Sequence, residues 1–569
     1  MLMGQANWVS TWVTPLWLIG AAIALGMIGL LLFYGGLALL SYLPGVGTIA
    51  DSPRRGIIAS LVIGCIFAAI LGTQFVRPGD DYFESLILPV SCLGLLLGFG
   101  VIYGAWHRTR SEWREMLTEG VIPYLLGVVI LFIVIALVAT PLVPVPMDFV
   151  RSLGQVNLLS DGTVRINIPV AGSPPEVAAD QAPFVPAGAD YDLTQAAALT
   201  IQSDRTVLLS DASDPGSFSR PPTRINAGEK LEYSYAKRDQ SPISPDPRKL
   251  FIQNRESDPA TVTMTFFYIP KVPEVAAAVS LAMSVFLLFT GLMVFRQAAP
   301  RVWALALSTA KNEMAQPLYL LLLSIGLLSI LLFGVYPFNT LGDDTRVLKD
   351  SGVTMIMVLA MVQAIWSAGT SVSEEIEGRT ALTVLSKPVS RRSFILGKYA
   401  GIMLAVFVLF VIIGALLVIV LSYKPIFESR ETTREVTTWQ QGHAEIMTTM
   451  PLLALYFMET MAIGAVAVAL ATRLPVLANF ISCFVIYVVG NLTSPLVAST
   501  EGNNELVGFV GKLIAVVVPN LNVFNVQSAV DVGNPIPLIY LSAAFNYLVF
   551  FTIAVWMLAM LLFEDRDLA

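Results

Sequence analysis

Few side chains in this sequence could do covalent or acid–base chemistry, and their spacing keeps them apart. The 569 residues include three cysteines, Cys65, Cys92 and Cys483, and two histidines, His107 and His443. Each cysteine falls in an apolar run, where a thiol behaves as a small hydrophobe; no disulfide framework and no thiolate metal site follow from their spacing. Two histidines cannot build a histidine-rich metal cluster. A hydrolase working through His443 would need a G-x-S-x-G elbow, and the sequence has none. It also lacks G-x-x-x-x-G-K-[ST], the loop whose backbone and lysine cradle nucleotide phosphates. We therefore expect no catalytic residue, no metal ligand and no cofactor bound by this chain. The chemistry left to it is recognition, by charged groups placed where another molecule can meet them.

Two places offer such groups. Residues 373–398 begin with an acidic turn (Glu374, Glu375, Glu377), continue with Ile376, Leu382 and Leu385 at helical spacings, break at Pro388, and end in a basic run through Arg391, Arg392 and Lys398. That order describes a short helix lying across a membrane face, or an interfacial loop that obeys the positive-inside rule. The second place is Glu459, a carboxylate inside an apolar run. An ionisable group at that depth is costly unless it faces protein or water, so it either lines a pathway or holds two helices together. Gln363, Asn479, Asn491 and Asn546 are weaker polar marks for which helix–helix hydrogen bonding is the expected role.

The elements that position these groups follow from composition. Hydrophobic residues make up 55% of the chain and charged residues 13%, with a mean hydropathy of +0.72. Those values exclude a soluble enzyme and a disordered chain. A net charge of -7 gives no reason to expect nucleic acid as a partner. Charge is concentrated in residues 143–272, which hold 27 of the 75 charged residues and 15 of the 34 prolines. Short β-type runs there, such as Thr163-Val-Arg-Ile-Asn-Ile-Pro169 and Thr261-Val-Thr-Met-Thr-Phe-Phe-Tyr268, are separated by turn signals. This block is expected to be an inserted β-sandwich-like domain.

Elsewhere, apolar runs of about 20 residues, long enough to cross the hydrocarbon core as helices, lie near 15–43, 56–76, 83–106, 120–142, 273–296, 318–338, 352–372, 398–422, 447–471, 475–497 and 537–563. The chain is therefore expected to be a polytopic α-helical membrane protein with about 11 transmembrane helices by the length criterion. Leu506 to Val518 is too short to span and precedes Pro519 and Asn520, which suggests a re-entrant or interfacial hairpin. Lysine and arginine collect in alternate loops, including Arg54-Arg55, Arg108 with Arg110 and Arg114, and Arg379 through Lys398. That pattern puts the C-terminus in the cytoplasm, the N-terminus outside, and the β-domain outside, in a multi-pass protein of the cell (inner) membrane. No cleavable signal is expected, since the first apolar run is long and lacks a basic leader.

The order of residues in the acidic-to-basic loop adds a likeness. Glu374, Glu375, Glu377, Gly378, Arg379 and Thr380, followed by Leu385, Pro388 and Arg391, resemble the stretch after the second helix of ABC-2 type ABC transporter permeases. One departure is Arg379, which separates Gly378 from Thr380 where many members have Gly-Thr adjacent. The resemblance covers residues 297–569. It implies that this loop is a coupling helix docking in a groove of a cytoplasmic ABC ATPase. It also implies that the segment with Trp303, Lys311 and Glu313 is an amphipathic connecting helix, and that Pro519, Asn520 and Asn525 belong to an outward-facing re-entrant segment. ATP and Mg2+ would be bound on the partner subunit. A second permease copy or a homologous permease would complete the pathway, within the lipid bilayer.

The implied organisation is a four-helix membrane module at 1–142, the β-rich domain at 143–272, a return helix at 273–296 and a six-helix permease core at 297–569. Two functions fit it. One is the membrane subunit of an exporter; the other is a non-transporting assembly protein that relays ATPase motion to an extracytoplasmic partner through the β-domain. The β-domain could equally be a structural extension packed beside the core.

Overall fold

The computed structural model describes residues 2–43, 45–75, 83–158, 162–173, 182–193, 195–235, 241–244, 246–336, 343–378, 390–432, 437–500, 509, 518–526 and 536–564. The chain divides into two compact units, Met1–Val143 with Leu281–Ala569, and Pro144–Ser280.

The first unit is helical. It opens with α1 (Leu2–Leu40), α2 (Pro53–Phe75), α3 (Phe83–Gly104), the short polar α4 (His107–Thr118) and α5 (Ile122–Ala139). Small residues let α2 and α3 approach backbone to backbone. A Cβ on Gly98 would fall 2.4 Å from the Gly64 nitrogen, and one on Gly94 2.4 Å from the Ala68 nitrogen. Close approach of this kind is how helices associate where lipid removes the hydrophobic drive.

The second unit contains α6 (Pro146–Leu153) and eight strands: β1 (Thr163–Val170), β2 (Val185–Pro186), β3 (Ala196–Ser203), β4 (Val207–Ser210), β5 (Thr223–Ile225), β6 (Lys230–Ser234), β7 (Phe251–Asn254) and β8 (Ala260–Tyr268). They form two four-stranded sheets, ordered β1-β8-β3-β6 and β2-β7-β4-β5, with antiparallel pairing throughout. Along β8, Ala260, Val262, Met264 and Phe266 are buried while alternate residues turn outward, the period of a strand with one face in a core. Met264 pairs with Ile166 on one side and Ile201 on the other. These side chains share one apolar cluster with Val207, Leu209, Ile225 and Ile252 of the other sheet. Two antiparallel sheets around a common core agree with the sandwich expected from the turn-separated runs.

The helical unit resumes with α7 (Val275–Ala298), which starts in the second unit, then α8 (Pro300–Met314), α9 (Pro317–Val335) and α10 (Asp344–Ala368). After a π turn at Gly369–Ser373 come α11 (Glu374–Glu377), α12 (Arg391–Thr432), α13 (Trp439–Ala471), α14 (Val476–Thr500) and α15 (Leu538–Glu564). Helices α10, α12 and α13 make the centre, with Ile356, Ala360, Ala364, Val406, Leu409, Ile413, Leu455 and Ile463 all fully buried. Helices α2, α9 and α15 show large apolar side chains such as Ile58, Leu328, Leu332, Phe550 and Leu561 on the surface, as a bilayer-facing surface must.

Among the described residues, ten helices are long and apolar enough to span a membrane. The expected eleventh, near 475–497, falls on α14, whose apolar stretch over the residues searched is the shorter Val476–Leu492. Central helices also run past the limits that hydropathy suggested: α10 begins at Asp344, not near 352, and α12 continues beyond 422. Paired charges explain the difference. Lys424 is fully buried with its ammonium 3.2 Å from Asp344, and Lys349 reaches Glu445 at 2.5 Å and the Thr448 hydroxyl at 3.0 Å. Glu428 accepts from the Thr345 backbone at 3.1 Å and from its hydroxyl at 2.6 Å. Charges neutralised between helices need not mark a helix end.

Candidate functional site

The acidic turn sits at the end of α10 remote from those ion pairs. A straight continuation of the helix is interrupted at Gly369, where a Cβ would lie 2.8 Å from Val476 Cγ1. Hydroxyls then redirect the backbone: Ser371 Oγ donates to the Ser367 carbonyl at 2.7 Å and Ser373 Oγ to the Leu474 carbonyl at 2.8 Å. The resulting π turn, a geometry that recurs at functional sites, leads directly into α11. Within α11 the three acids differ. Glu374 and Glu377 are exposed, as is Gly378, whose N–H closes the turn on the Glu374 carbonyl at 2.8 Å. Glu375 is half-buried and its Oε1 lies 2.5 Å from Lys398 Nζ on α12. Ile376 is buried beneath them.

Arg379, Thr380, Leu385 and Pro388 lie outside the described residues. The chain is described again from Ser390, whose hydroxyl caps α12 by accepting from the Ser393 N–H at 3.1 Å. Arg391 does not stand free beside the turn. Its guanidinium lies 5.7 Å from the Phe563 ring and donates to the Glu564 carbonyl at 3.2 Å, next to the stacked Phe394–Phe563 pair. It therefore ties the start of α12 to the end of α15.

Helix α8 packs on the same node. Trp303, Ala306, Leu307, Ala310 and Glu313 recur at helical spacing and are all buried, whereas Lys311 is exposed. Trp303 packs its ring 5.4 Å from that of Phe295 and is not a lipid-facing anchor. Glycine allows α8 to touch α12: a Cβ on Gly401 would sit 2.5 Å from the Ala306 carbonyl oxygen. At the end of this face Glu313 is 1% exposed, and burial pushes its carboxyl up to about 7. The Ser367 hydroxyl, the Lys398 charge and the Thr370 hydroxyl oppose that rise, and the Glu375 charge adds to it.

The remaining sites are separate from this node. Glu459 is 2% exposed on α13 and hydrogen-bonds Asn491 of α14, with Tyr456 and Tyr487 nearby. Gln363 Nε2 donates to Ser367 Oγ at 2.8 Å, and Asn479 accepts from Cys483 Sγ at 3.5 Å; both are fully buried. Asn546 bonds the Ser85 carbonyl at 2.8 Å, joining α15 to α3. Pro519, Asn520 and Asn525 belong to a described segment, 518–526, seated on α14 and α15. The Asn520 N–H donates to Tyr547 Oη at 2.8 Å, Asn522 donates to the Asn491 carbonyl at 3.2 Å, and the Asn525 N–H donates to the Asn522 carbonyl at 3.2 Å.

Sequence reasoning missed Lys398 as a buried partner, the Ser367 and Thr370 hydroxyls, and the Lys424–Asp344 pair. Signals were present in the run Ser367-Ala-Gly-Thr-Ser-Val-Ser373, rich in residues that hydrogen-bond to backbone, and in a lone lysine at 424 amid apolar neighbours. Among the described residues no group of His, Cys, Asp and Glu is arranged to hold a metal ion.

The sequence profile of a family described as ABC-2 family transporter protein matches residues 109–568. That match begins well before residue 297 and includes the inserted sheets. No curated protein and no solved structure matches the chain.

Proposed function

Because the chain belongs to the ABC-2 family of transporter proteins, we propose that it is the membrane permease subunit of an ABC exporter driven by a separate cytoplasmic ATPase that docks on the acidic turn. The observation that carries this reading is the division of labour in α11. Glu374 and Glu377 are exposed and have no ion pair among the described residues, while Glu375 is fixed to Lys398 and through it to α12. A force applied to the exposed acids would pass through the π turn into α10 and through Lys398 into α12, two of the three helices at the centre of the unit.

In this account the partner binds and hydrolyses ATP with Mg2+, and closure of its nucleotide sites moves the turn. A second permease copy, or a homologous one, faces the first around the pathway, and Glu459 with Asn491 marks the polar part of that path. The distribution of lysine and arginine supports a cytoplasmic acidic turn and C-terminus, with the N-terminus and sheet unit on the other side of the inner membrane. Charge reversal at Glu374 and Glu377 together should strip co-purifying ATP hydrolysis from the chain while leaving membrane insertion and thermal midpoint unchanged. Undiminished hydrolysis in that variant would remove the acidic turn from the docking surface.

A further inference from the structure

A buried carboxyl of α8, a helix packed on α12, lies within electrostatic reach of the ion pair that joins α11 to α12. Glu375 has taken the ammonium, with Lys398 Nζ 2.5 Å from its Oε1. Glu313 is 1% exposed, and its Oε2 has no hydrogen-bond partner among the described residues. The groups that act on it are few: hydroxyls of Ser367 and Thr370 from the α10 side, Lys398 from α12 and Glu375 from α11, while Lys311 on its own helix points to solvent. With both carboxyls ionised the node would bury an uncompensated negative charge, which costs several kcal/mol unless a proton neutralises it.

We propose that Glu313, Lys398 and Glu375 form a proton-binding switch between the connecting helix α8 and the docking turn. While Glu375 holds Lys398, Glu313 keeps its proton. When the turn is pulled away, Lys398 is left to Glu313, whose O–H bond breaks; the proton leaves to water and the new carboxylate pairs with the ammonium. No redox step is involved. The elevation of the Glu313 carboxyl to about 7 places this exchange in the physiological range. Linkage then runs both ways: low pH favours the arrangement with Glu375 on Lys398, and high pH favours the arrangement with the turn withdrawn. The switch rests on the reading of α11 as the docking turn.

Two measurements test it. In the purified full-length chain carrying Glu459→Gln, which removes the buried carboxyl of α13 from the signal, infrared spectroscopy in lipid nanodiscs should show a protonated-carboxyl band that titrates near pH 7. The band should vanish in Glu313→Gln and titrate at lower pH in Glu375→Gln, where the repulsion is gone and Lys398 is free. Persistence of the same band in Glu313→Gln would overturn the assignment, as would an unmoved titration in Glu375→Gln. In the chain with its co-purifying ATPase, the ratio of ATP turnover between about pH 6 and pH 8 should flatten in Glu313→Gln and be retained, displaced, in Glu313→Asp. A ratio unchanged in both variants would overturn the switch. Loss of all co-purifying turnover in the unsubstituted chain would instead count against the docking reading, and the infrared titration would still decide the fate of the proton.

Discussion

Ion pairs in the sheet unit and in the helical unit look alike in distance and differ in surroundings. Arg205 reaches Glu256 at 3.0 Å and Asp258 at 3.1 Å, with side chains 43%, 36% and 65% exposed. Lys424 reaches Asp344 at 3.2 Å with side chains 0% and 3% exposed. Water screens the first set, and such pairs are worth little. The second pair has exchanged hydration for contacts inside the protein, with Lys424 also donating to the Tyr336 carbonyl at 3.3 Å, so it fixes the relative position of two helices and punishes its own disruption. The sheet unit is held by its apolar core; the helical unit adds geometry specified by charge, at both ends of α10.

That contrast can be broken by substitution, and the largest effect is expected where burial is complete. Lys424→Ala should cost about 3–5 kcal/mol by leaving the Asp344 carboxylate buried without its ammonium, seen as a collapse of thermal midpoint and yield. Lys424→Met combined with Asp344→Leu should recover most of it. An unchanged thermal midpoint in Lys424→Ala alone would show that the pair does not organise the bundle.

Next comes pH. The Glu313 carboxyl rises from 4.5 in the unfolded chain to about 7 in the fold. Its stabilising contribution is therefore complete below the unfolded value and lost as pH rises through 7, a change on the order of 3 kcal/mol. The thermal midpoint should fall over that window and should fall less in Glu313→Gln. Asp211 of the sheet unit has the opposite sign: the Ser219 hydroxyl holds it below its usual range, so its small contribution is lost only as pH falls through that lowered value.

Smaller still, Gly401→Val should cost about 1–3 kcal/mol by overpacking the α8–α12 contact and should loosen α8 from α12. Gly216 of the sheet unit has nothing within 4 Å of the corresponding Cβ, so Gly216→Ala should be nearly silent. The least effect is expected from Arg205→Ala, below about 1 kcal/mol in urea or thermal unfolding of the chain.

Much of the architecture was legible because burial in a bilayer and burial in a soluble core write different patterns. Long apolar runs announced membrane helices, and short β-type runs separated by turn signals announced sheets. The acidic-to-basic loop carried the family likeness, which the profile match supports over a longer stretch than 297–569. Helix ends were less legible. Asp344, Lys349 and Lys424 read as loop residues because a hydropathy window cannot see that each charge finds its opposite on a neighbouring helix. The different fates of Glu374, Glu375 and Glu377 were equally hidden, since only the π turn and the position of Lys398 decide which acid turns inward.

The central claim, a separate ATPase seated on the acidic turn, is tested most directly by photocrosslinking in native membranes. A photoreactive residue would replace Glu377 in one protein and Asp258, exposed in the sheet unit, in another. Cross-linking of a nucleotide-binding subunit through position 377 and not through 258 is the predicted result. Cross-linking through 258, or through neither while ATP turnover still co-purifies, would contradict it.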